Sequence, residues 1–166
     1  MDTQKDKQDF LRLIQDNKGI IFKICNSYCA NKNDRDDLAQ EIIYHLWRSG
    51  HRFDASYKFS TWMYRVALNV AISYYRKEKT AKAILSSTDN FIDVEDKNEP
   101  AQQQEENIRK LEGFIQQLKE LDKALMLLYL EEKSYKEIAE IMGLTETNVA
   151  TKISRIKEKL KQNFQR

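Results

Sequence analysis

A single proline, Pro100, and four glycines are the only strong helix breakers among the 166 residues of this chain. Turn-rich β-sandwiches and collagen-like chains need many more of both residues, whereas helix interiors exclude proline and disfavour glycine. Charged side chains make up 33% of the sequence, which is typical of amphipathic helices with solvated faces. The sequence therefore predicts an all-α fold of long helices.

The charges are unevenly distributed, although the net charge is only +2. Residues 1–85 carry +5, residues 86–107 carry −6 and residues 108–166 carry +3. The acidic segment contains the proline and few large apolar side chains, as flexible linkers do. We predict two small helical domains, 1–85 and 108–166, joined by a flexible acidic linker, 86–107, that could reach roughly 70 Å when extended.

The cysteine content and the lack of long apolar runs indicate where the protein acts and whether it needs a cofactor. Two cysteines cannot form a disulfide framework, and the polar N-terminus has no apolar signal core. No apolar run approaches membrane-spanning length. Cys25 and Cys29 could share a helix face with a soft metal, but a free cysteine is more often a small buried hydrophobe. We expect a soluble cytoplasmic protein without a cofactor.

Apolar spacing predicts three or four helices in the N-terminal domain. The first pattern covers residues 10–28. Asn33 can cap a second helix that runs to about Arg48, where Ser49 and Gly50 end it. In this second helix the buried positions repeat every four residues: Leu38, Ile42 and Leu46.

A third helix follows the loop that covers residues 51–59, and Ser60 or Thr61 can cap it. Its predicted buried stripe consists of Met63, Val66, Ala67, Val70 and Tyr74. A second face lies about 115° away at 100° per residue and carries Trp62, Arg65, Asn69, Ser73 and Arg76. Aromatic and basic residues on one strip suit single-stranded bases, although a solvated helix side with a half-buried tryptophan is an equally plausible interpretation.

The C-terminal domain is predicted to contain four helices, the first two over 108–119 and 122–131. Ser134 and Glu137 fit a capping box that opens a helix of about eight residues. Gly143 suits a left-handed turn and Thr145 can cap a last helix. This helix–turn–helix pattern points to major-groove DNA binding, although an ordinary helical hairpin has the same local signals. The polar side of the last helix carries Thr147, Asn148, Thr151, Lys152, Ser154 and Arg155.

Two other functions fit parts of the sequence. A stand-alone helix–turn–helix regulator would use the N-terminal helices to sense a ligand or to dimerise. A metal-dependent nuclease would use Asp36, Asp37 and Glu41, but acidic residues at a helix N-terminus are common because they stabilise the helix dipole.

Three segments resemble the extracytoplasmic-function (ECF) sigma factors of bacterial RNA polymerase. Residues 36–47, DDLAQEIIYHLW, and residues 58–77, KFSTWMYRVALNVAISYYRK, are similar to their region-two motifs, and residues 135–160 are similar to their terminal helix–turn–helix. The resemblance extends over residues 8–79 and 108–162. It implies a sigma factor without chemistry of its own, with core RNA polymerase, promoter DNA and an anti-sigma factor as partners.

The resemblance also implies roles for individual residues. The core-polymerase-binding residues would be Asp37, Gln40, Glu41 and Trp47. The residues that melt and read the minus-ten element would be Lys58, Phe59, Ser60, Thr61, Trp62, Arg65, Asn69 and Arg76. The minus-thirty-five element would be read by the polar side of the last helix. Ser73 stands where many members have Asp, and Ala150 where Lys or Arg is usual.

Overall fold

The computed structural model describes residues 3–85 and 103–165. Within them the chain forms eight α-helices, a short 3₁₀ turn at Gly50–Arg52 and no β-strand. The all-α prediction is confirmed. The helices are α1 Gln4–Asp16, α2 Lys18–Tyr28, α3 Lys32–Ser49, α4 Phe59–Leu85, α5 Gln103–Gln117, α6 Glu120–Leu130, α7 Tyr135–Met142 and α8 Glu146–Phe164.

The first apolar pattern is divided between two helices. The Asn17 side chain donates to the Leu13 carbonyl at 2.8 Å, and its backbone N–H donates to the Ile14 carbonyl at 3.2 Å. These bonds satisfy carbonyls at the end of α1, and the chain then turns into α2. Periodicity alone missed this break because the apolar spacing continues through it.

Two predicted helix starts are wrong by two or three residues. α3 is capped by Asn31, whose Oδ1 accepts from the Asp34 backbone N–H at 2.8 Å, so Asn33 lies inside the helix. α4 begins at Phe59, which places Ser60 and Thr61 in its first turn instead of at the cap. Neighbouring polar residues offer alternative caps, and only the path of the chain selects one.

α4 is buried over more of its circumference than one stripe predicts. Met63 and Ala67 of the predicted stripe are fully buried, and its other members are partly buried. α4 contacts α2 and α3 and also α6 and α7 of the C-terminal half. Four further residues are therefore buried: Tyr64, Leu68, Ala71 and Ile72.

The C-terminal half begins earlier than predicted. α5 starts at Gln103, so residues 103–107 of the predicted linker are helical, with acidic Glu105 and Glu106 in the favourable first turn. Residues 86–102 of that linker lie outside the described residues. α6 likewise starts at Glu120 instead of Asp122.

The helix–turn–helix has the local structure that its sequence predicts. Ser134 and Glu137 form a reciprocal capping box at the start of α7, which has eight residues. Gly143 adopts a left-handed conformation with φ of +67°. Thr145 then caps α8 by accepting the Asn148 backbone N–H at 3.1 Å.

The two halves pack against each other. α2 contacts α5 and α6, and α4 contacts α6 and α7. The most buried polar residue of the described chain, Lys123 of α6, lies at this junction with only 1% of its surface exposed. Its ammonium group is 5.3 Å from the ring centre of Tyr28 and 5.2 Å from that of Tyr75.

Candidate nucleic-acid interface

α8 presents a polar face on the side opposite its buried stripe. Val149, Ile153 and Ile156 point into the core. Five of the six predicted reading residues are exposed, and Lys152 is half-buried: Thr147, Asn148, Thr151, Lys152, Ser154 and Arg155. The structure therefore gathers the whole predicted set on one accessible surface, with Ala150 half-buried at its edge.

The second predicted face, on α4, is mostly accessible. Arg65, Asn69, Ser73 and Arg76 are exposed. Trp62 is half-buried, and its side chain is held in place by a cluster of aromatic rings. Its ring centre lies 5.9 Å from that of Phe10, 5.4 Å from that of Phe53 and 5.5 Å from that of Phe59.

The ring cluster was only partly predictable. The sequence shows an excess of aromatic residues from position 53 to position 75, but Phe10 comes from α1, far away in the chain. Phe10 contacts Trp47 as well as Trp62, and its ring centre lies 6.0 Å from that of Trp47. One buried ring thus connects two of the predicted functional surfaces.

The residues that lead into α4 differ in exposure. Lys58 is exposed, whereas Phe59, Ser60 and Thr61 are half-buried. The Lys58 ammonium lies 3.7 Å from Oε1 of Glu137 in α7. Arg76, at the other end of the face, donates from Nε to Oε1 of Glu120 at 2.8 Å. This bond holds the pKa of the Glu120 carboxyl below its usual value.

α3 carries a third exposed surface. All four residues predicted to bind core polymerase are exposed on it: Asp37, Gln40, Glu41 and Trp47. Ile43 and Tyr44 lie on the same helix with 45% and 55% of their surface exposed. Both lie outside the buried stripe of Leu38, Ile42 and Leu46.

A groove of about 580 Å³ lies at the surface between α3 and α4. Glu41 and His45 line it from α3, and Asn69, Ser73 and Lys77 line it from α4. The predicted polymerase surface and the predicted minus-ten surface are therefore adjacent.

The sequence offers two sets of candidate metal ligands, the two cysteines and the acidic residues near the start of α3. Within the described residues, no three His, Cys, Asp or Glu side chains are grouped so that they could hold a metal ion. Cys25 and Cys29 are buried, and desolvation raises their thiol pKa values to about 12 and about 11. Both behave as the small buried hydrophobes that composition favoured.

No helix in residues 3–85 and 103–165 combines the length and the apolar character needed to cross a bilayer.

Comparison with known proteins shows the family of this chain. The family model for Sigma-70 region 2 matches residues 13–81, and that for Sigma-70 region 4 matches residues 108–160. The ECF RNA polymerase sigma factor SigW of Bacillus subtilis is 30% identical, over 96% of this chain and 90% of SigW. SigM of the same organism is 30% identical over 88% of this chain and 89% of its own. This chain belongs to the ECF family of RNA polymerase sigma factors.

Solved structures show the same fold for this sigma factor. CnrH, in complex with the cytosolic domain of CnrY, has a TM-score of 0.67 at 19% identity, over 95% of this chain and 88% of CnrH. RpoE of Bartonella quintana, in complex with the anti-sigma factor NepR, has a TM-score of 0.68 at 16% identity, over 98% of both chains. As a member of this family, the sigma factor directs promoter-specific transcription initiation.

Proposed function

We propose that this sigma factor divides promoter recognition between two helices. The α4 face, defined as Lys58 to Trp62 with Arg65, Asn69 and Arg76, reads and holds open the minus-ten element. The α8 face reads the minus-thirty-five element. The observation that carries this proposal is that each helix has an accessible polar side opposite a buried one, and that the α8 side contains no carboxylate from Thr147 to Arg155.

The side chains on α8 suit direct readout of a major groove. Threonine, serine and asparagine donate to and accept from base edges, and Arg155 can bond a guanine in bidentate fashion. Asn148 and Thr151 are exposed near the N-terminal end of the helix, which enters the groove in related motifs. Ala150 supplies no phosphate contact, so we expect positioning to depend on Lys152 and on charges outside the helix.

The α4 face suits unpaired bases. Trp62 is held by three neighbouring rings, so it can offer a stacking surface with little loss of side-chain entropy. Stacking contributes about 1–3 kcal/mol per base, and extruding a base costs a few kcal/mol. One small domain can therefore retain an opened base but needs a large partner to open a promoter.

Core RNA polymerase is the partner that we assign to α3. Asp37, Gln40 and Glu41 supply two carboxylates and an amide for a polar rim, and Trp47 supplies the kind of aromatic anchor that is enriched at protein interfaces. The exposed Ile43 and Tyr44 add apolar area to that surface.

Regulation and location follow from the same assignment. The solved structures contain CnrH in complex with the cytosolic domain of CnrY, and RpoE in complex with the anti-sigma factor NepR. We expect this sigma factor to have an anti-sigma factor of its own, to act in the cytoplasm and to contribute binding without catalysis.

Run-off transcription with purified bacterial core polymerase tests the proposal. Trp62→Ala combined with Asn69→Ala should abolish the transcript and leave core binding intact. Phe22→Ala combined with Asn26→Ala is the matched control, because it removes an exposed aromatic ring and an amide from α2, outside the proposed faces. Normal transcription by the first double variant would refute the α4 assignment. Strong, site-specific footprinting by the sigma factor without polymerase would favour a stand-alone regulator.

A further inference from the structure

The polar face of α4 continues past the residues proposed to read the minus-ten element. At 100° per residue, Thr80 lies about 20° from Asn69 around the helix axis, and Lys77 and Lys79 lie about 80° from Asn69 on opposite sides. Thr80 and these two flanking lysines, Lys77 and Lys79, are all exposed. The end of α4 therefore carries a polar strip with one lysine on each side.

Positive charge is concentrated on α4. The helix contains five basic residues and one acidic residue, Glu78, so it carries +4 of the +5 net charge of residues 1–85. Glu78 is half-buried and lies about 180° from Asn69 around the helix. A solvated helix side usually mixes charges of both signs. The side of α4 that carries Asn69 is instead purely basic, which suits a polyanion.

The flanking lysines are not engaged by carboxylates. Neither forms an ion pair with any residue in the part of the chain that the structure describes. Arg76, which lies between them on the helix surface, donates to Glu120 of α6 at 2.8 Å. This bond is the main cause of the lowered pKa of the Glu120 carboxyl, and the nearby charge of Lys79 adds to it. α6 thus places one carboxylate beside the strip and leaves both flanking lysines exposed.

Aromatic rings and cations lie at opposite ends of the same helix. Phe53 and Phe59 pack against Trp62 at the start of α4, whereas no aromatic residue follows Tyr75 within the helix. Unpaired bases bind by stacking on rings, whereas the phosphates of duplex DNA require only positive charge. The start of α4 therefore suits single-stranded DNA, and its end suits duplex DNA.

The length of α4 allows both kinds of contact at once. From Trp62 to Lys79 the helix axis runs for about 26 Å, which is the rise of roughly seven or eight base pairs. A major groove is about 12 Å wide and has a phosphate backbone on each side. A helix that lies along such a groove places its central residues near the bases and its flanks near the two backbones. The flanking lysines occupy those two flanks.

We propose that Lys77 and Lys79 bind the two phosphate backbones of the duplex DNA that adjoins the opened bases, so that α4 spans the junction between double-stranded and single-stranded DNA. The inference rests on the proposed role of the α4 face and extends it from bases to backbone. The contact is independent of sequence, because phosphates are the same in every base pair. It supplies positioning charge outside α8, where Ala150 makes no phosphate contact.

The salt dependence of binding tests this contact in the complex of full-length sigma factor with core polymerase. Two fluorescein-labelled DNAs are compared: a forked promoter fragment with a duplex arm and an unpaired minus-ten strand, and that strand alone. Lys77→Gln combined with Lys79→Gln should lower the slope of log affinity against log salt by about two on the forked DNA. Its affinity relative to the unmodified protein should then change by roughly tenfold between about 50 and 200 mM salt. The slope on the single strand should not change.

A matched variant controls for net charge. Lys18→Gln combined with Lys82→Gln removes two exposed lysines, one on α2 and one on α4. Lys82 lies about 140° from Asn69, outside the strip, so this variant should keep the original slope. An equal fall in both variants would assign the effect to net charge and overturn the inference. An unchanged slope in the first variant, or an equal fall on the single strand, would overturn it as well.

Lysine acetylation locates the contact on the helix. When the polymerase complex binds the forked DNA, Lys77 and Lys79 should become protected from sulfo-NHS-acetate, as read by mass spectrometry, whereas Lys82 should react as it does without DNA. Equal protection of all three lysines, or protection of none, would contradict the flanking geometry. Forked fragments with altered duplex sequences should bind the first variant with an even loss, and a loss that follows the sequence would refute a phosphate contact.

The two proposals can fail separately. If Trp62→Ala with Asn69→Ala transcribes normally but the lysine variant has the lower slope, the minus-ten assignment is wrong and the phosphate contact stands. If the first of these variants is inactive but the slope of the lysine variant is unchanged, the minus-ten role stands and the phosphate contact is wrong. Circular dichroism spectra verify that every variant is folded before binding is compared.

Discussion

Phe10 of α1 lies edge-on against Trp62 of α4, with ring centres 5.9 Å apart and planes inclined by 65°. Phe10 precedes the segment that matches the Sigma-70 region 2 model, yet it is buried. It is the residue through which α1 supports the proposed base-stacking surface. The first helix therefore packs against the proposed base-stacking surface.

Phe10→Ala should destabilise the protein by about 3 kcal/mol, because truncating a buried aromatic ring leaves a cavity. It should also weaken transcription at temperatures where the fold is retained, since Trp62 loses a supporting ring. Urea unfolding measures the first effect and run-off transcription the second. Leu11→Ala, at a position 47% exposed on the same helix, is the control and should change stability by less than about 0.5 kcal/mol.

Arg155→Ala should weaken recognition of the minus-thirty-five element by about 1–3 kcal/mol if the guanidinium bonds a base. Electrophoretic mobility measurements on the polymerase complex, with promoters altered one base pair at a time, reveal which base is involved. An even loss across all sequences would indicate a phosphate contact, and no loss of either kind would contradict the assigned reading face.

Lys123→Met should stabilise the free protein by about 1 kcal/mol. Burial lowers the pKa of the Lys123 ammonium, which means that its desolvation cost exceeds the attraction of nearby groups such as the Glu120 carboxylate. Methionine keeps the length of the stem and removes the charge. Thermal unfolding measures the change. A lower melting temperature would show that the cation–π contacts dominate.

The stability of the protein should fall as the pH rises above about 9. The folded-state pKa values of Cys25 and Cys29, about 12 and about 11, lie above the ordinary value of 9.0. Unfolded thiols then ionise while the folded ones stay protonated, so the stabilisation present below pH 9 is lost at up to about 1.4 kcal/mol per pH unit for each thiol. The lowered pKa of Lys123 opposes this trend, since its contribution grows with pH.

Urea titrations at pH 7 to 10.5 measure this slope. In the double variant Cys25→Ala with Cys29→Ala, most of the decline in the free energy of unfolding with pH should disappear. The increase that Lys123 contributes should remain. An unchanged slope in that variant would assign the decline to other groups, such as Tyr64, whose pKa burial raises to about 12.

Alanine at two glycines should have opposite effects on stability. Gly143 has a φ of +67°, which disfavours any residue with a Cβ. Gly143→Ala should therefore lower the free energy of unfolding by about 1–2 kcal/mol, although no atom lies within 4 Å of the added Cβ. Gly113 lies inside α5 with open space around it, so Gly113→Ala should gain about 0.5–1 kcal/mol. Chemical denaturation compares the two, and equal effects would contradict the left-handed turn.

Sequence reasoning succeeded where the signal is local. The helix–turn–helix was predictable because its capping box, its glycine turn and its second cap each lie within a few residues of the chain. A helix start was not predictable where two nearby residues could each serve as the N-cap. Asn31 and Asn33 are such a pair, because either side chain can accept a hydrogen bond from a free backbone N–H. The helix face that carries Trp62 was predictable from the helical period. Its contact with Phe10 was not, because Phe10 lies in a different helix.

By itself the sequence determined that this protein is helical, that its reading helices have polar faces and that it resembles the ECF sigma factors. The tertiary structure alone decided that Arg76 faces Glu120, 44 positions away, and that the Tyr28 hydroxyl bonds the Glu120 carbonyl, 92 positions away. Helix formation depends on neighbours along the chain, so periodicity and caps reveal it. The contact between the two halves depends on shape and desolvation across distant segments, and no local pattern predicts that a lysine such as Lys123 is buried there.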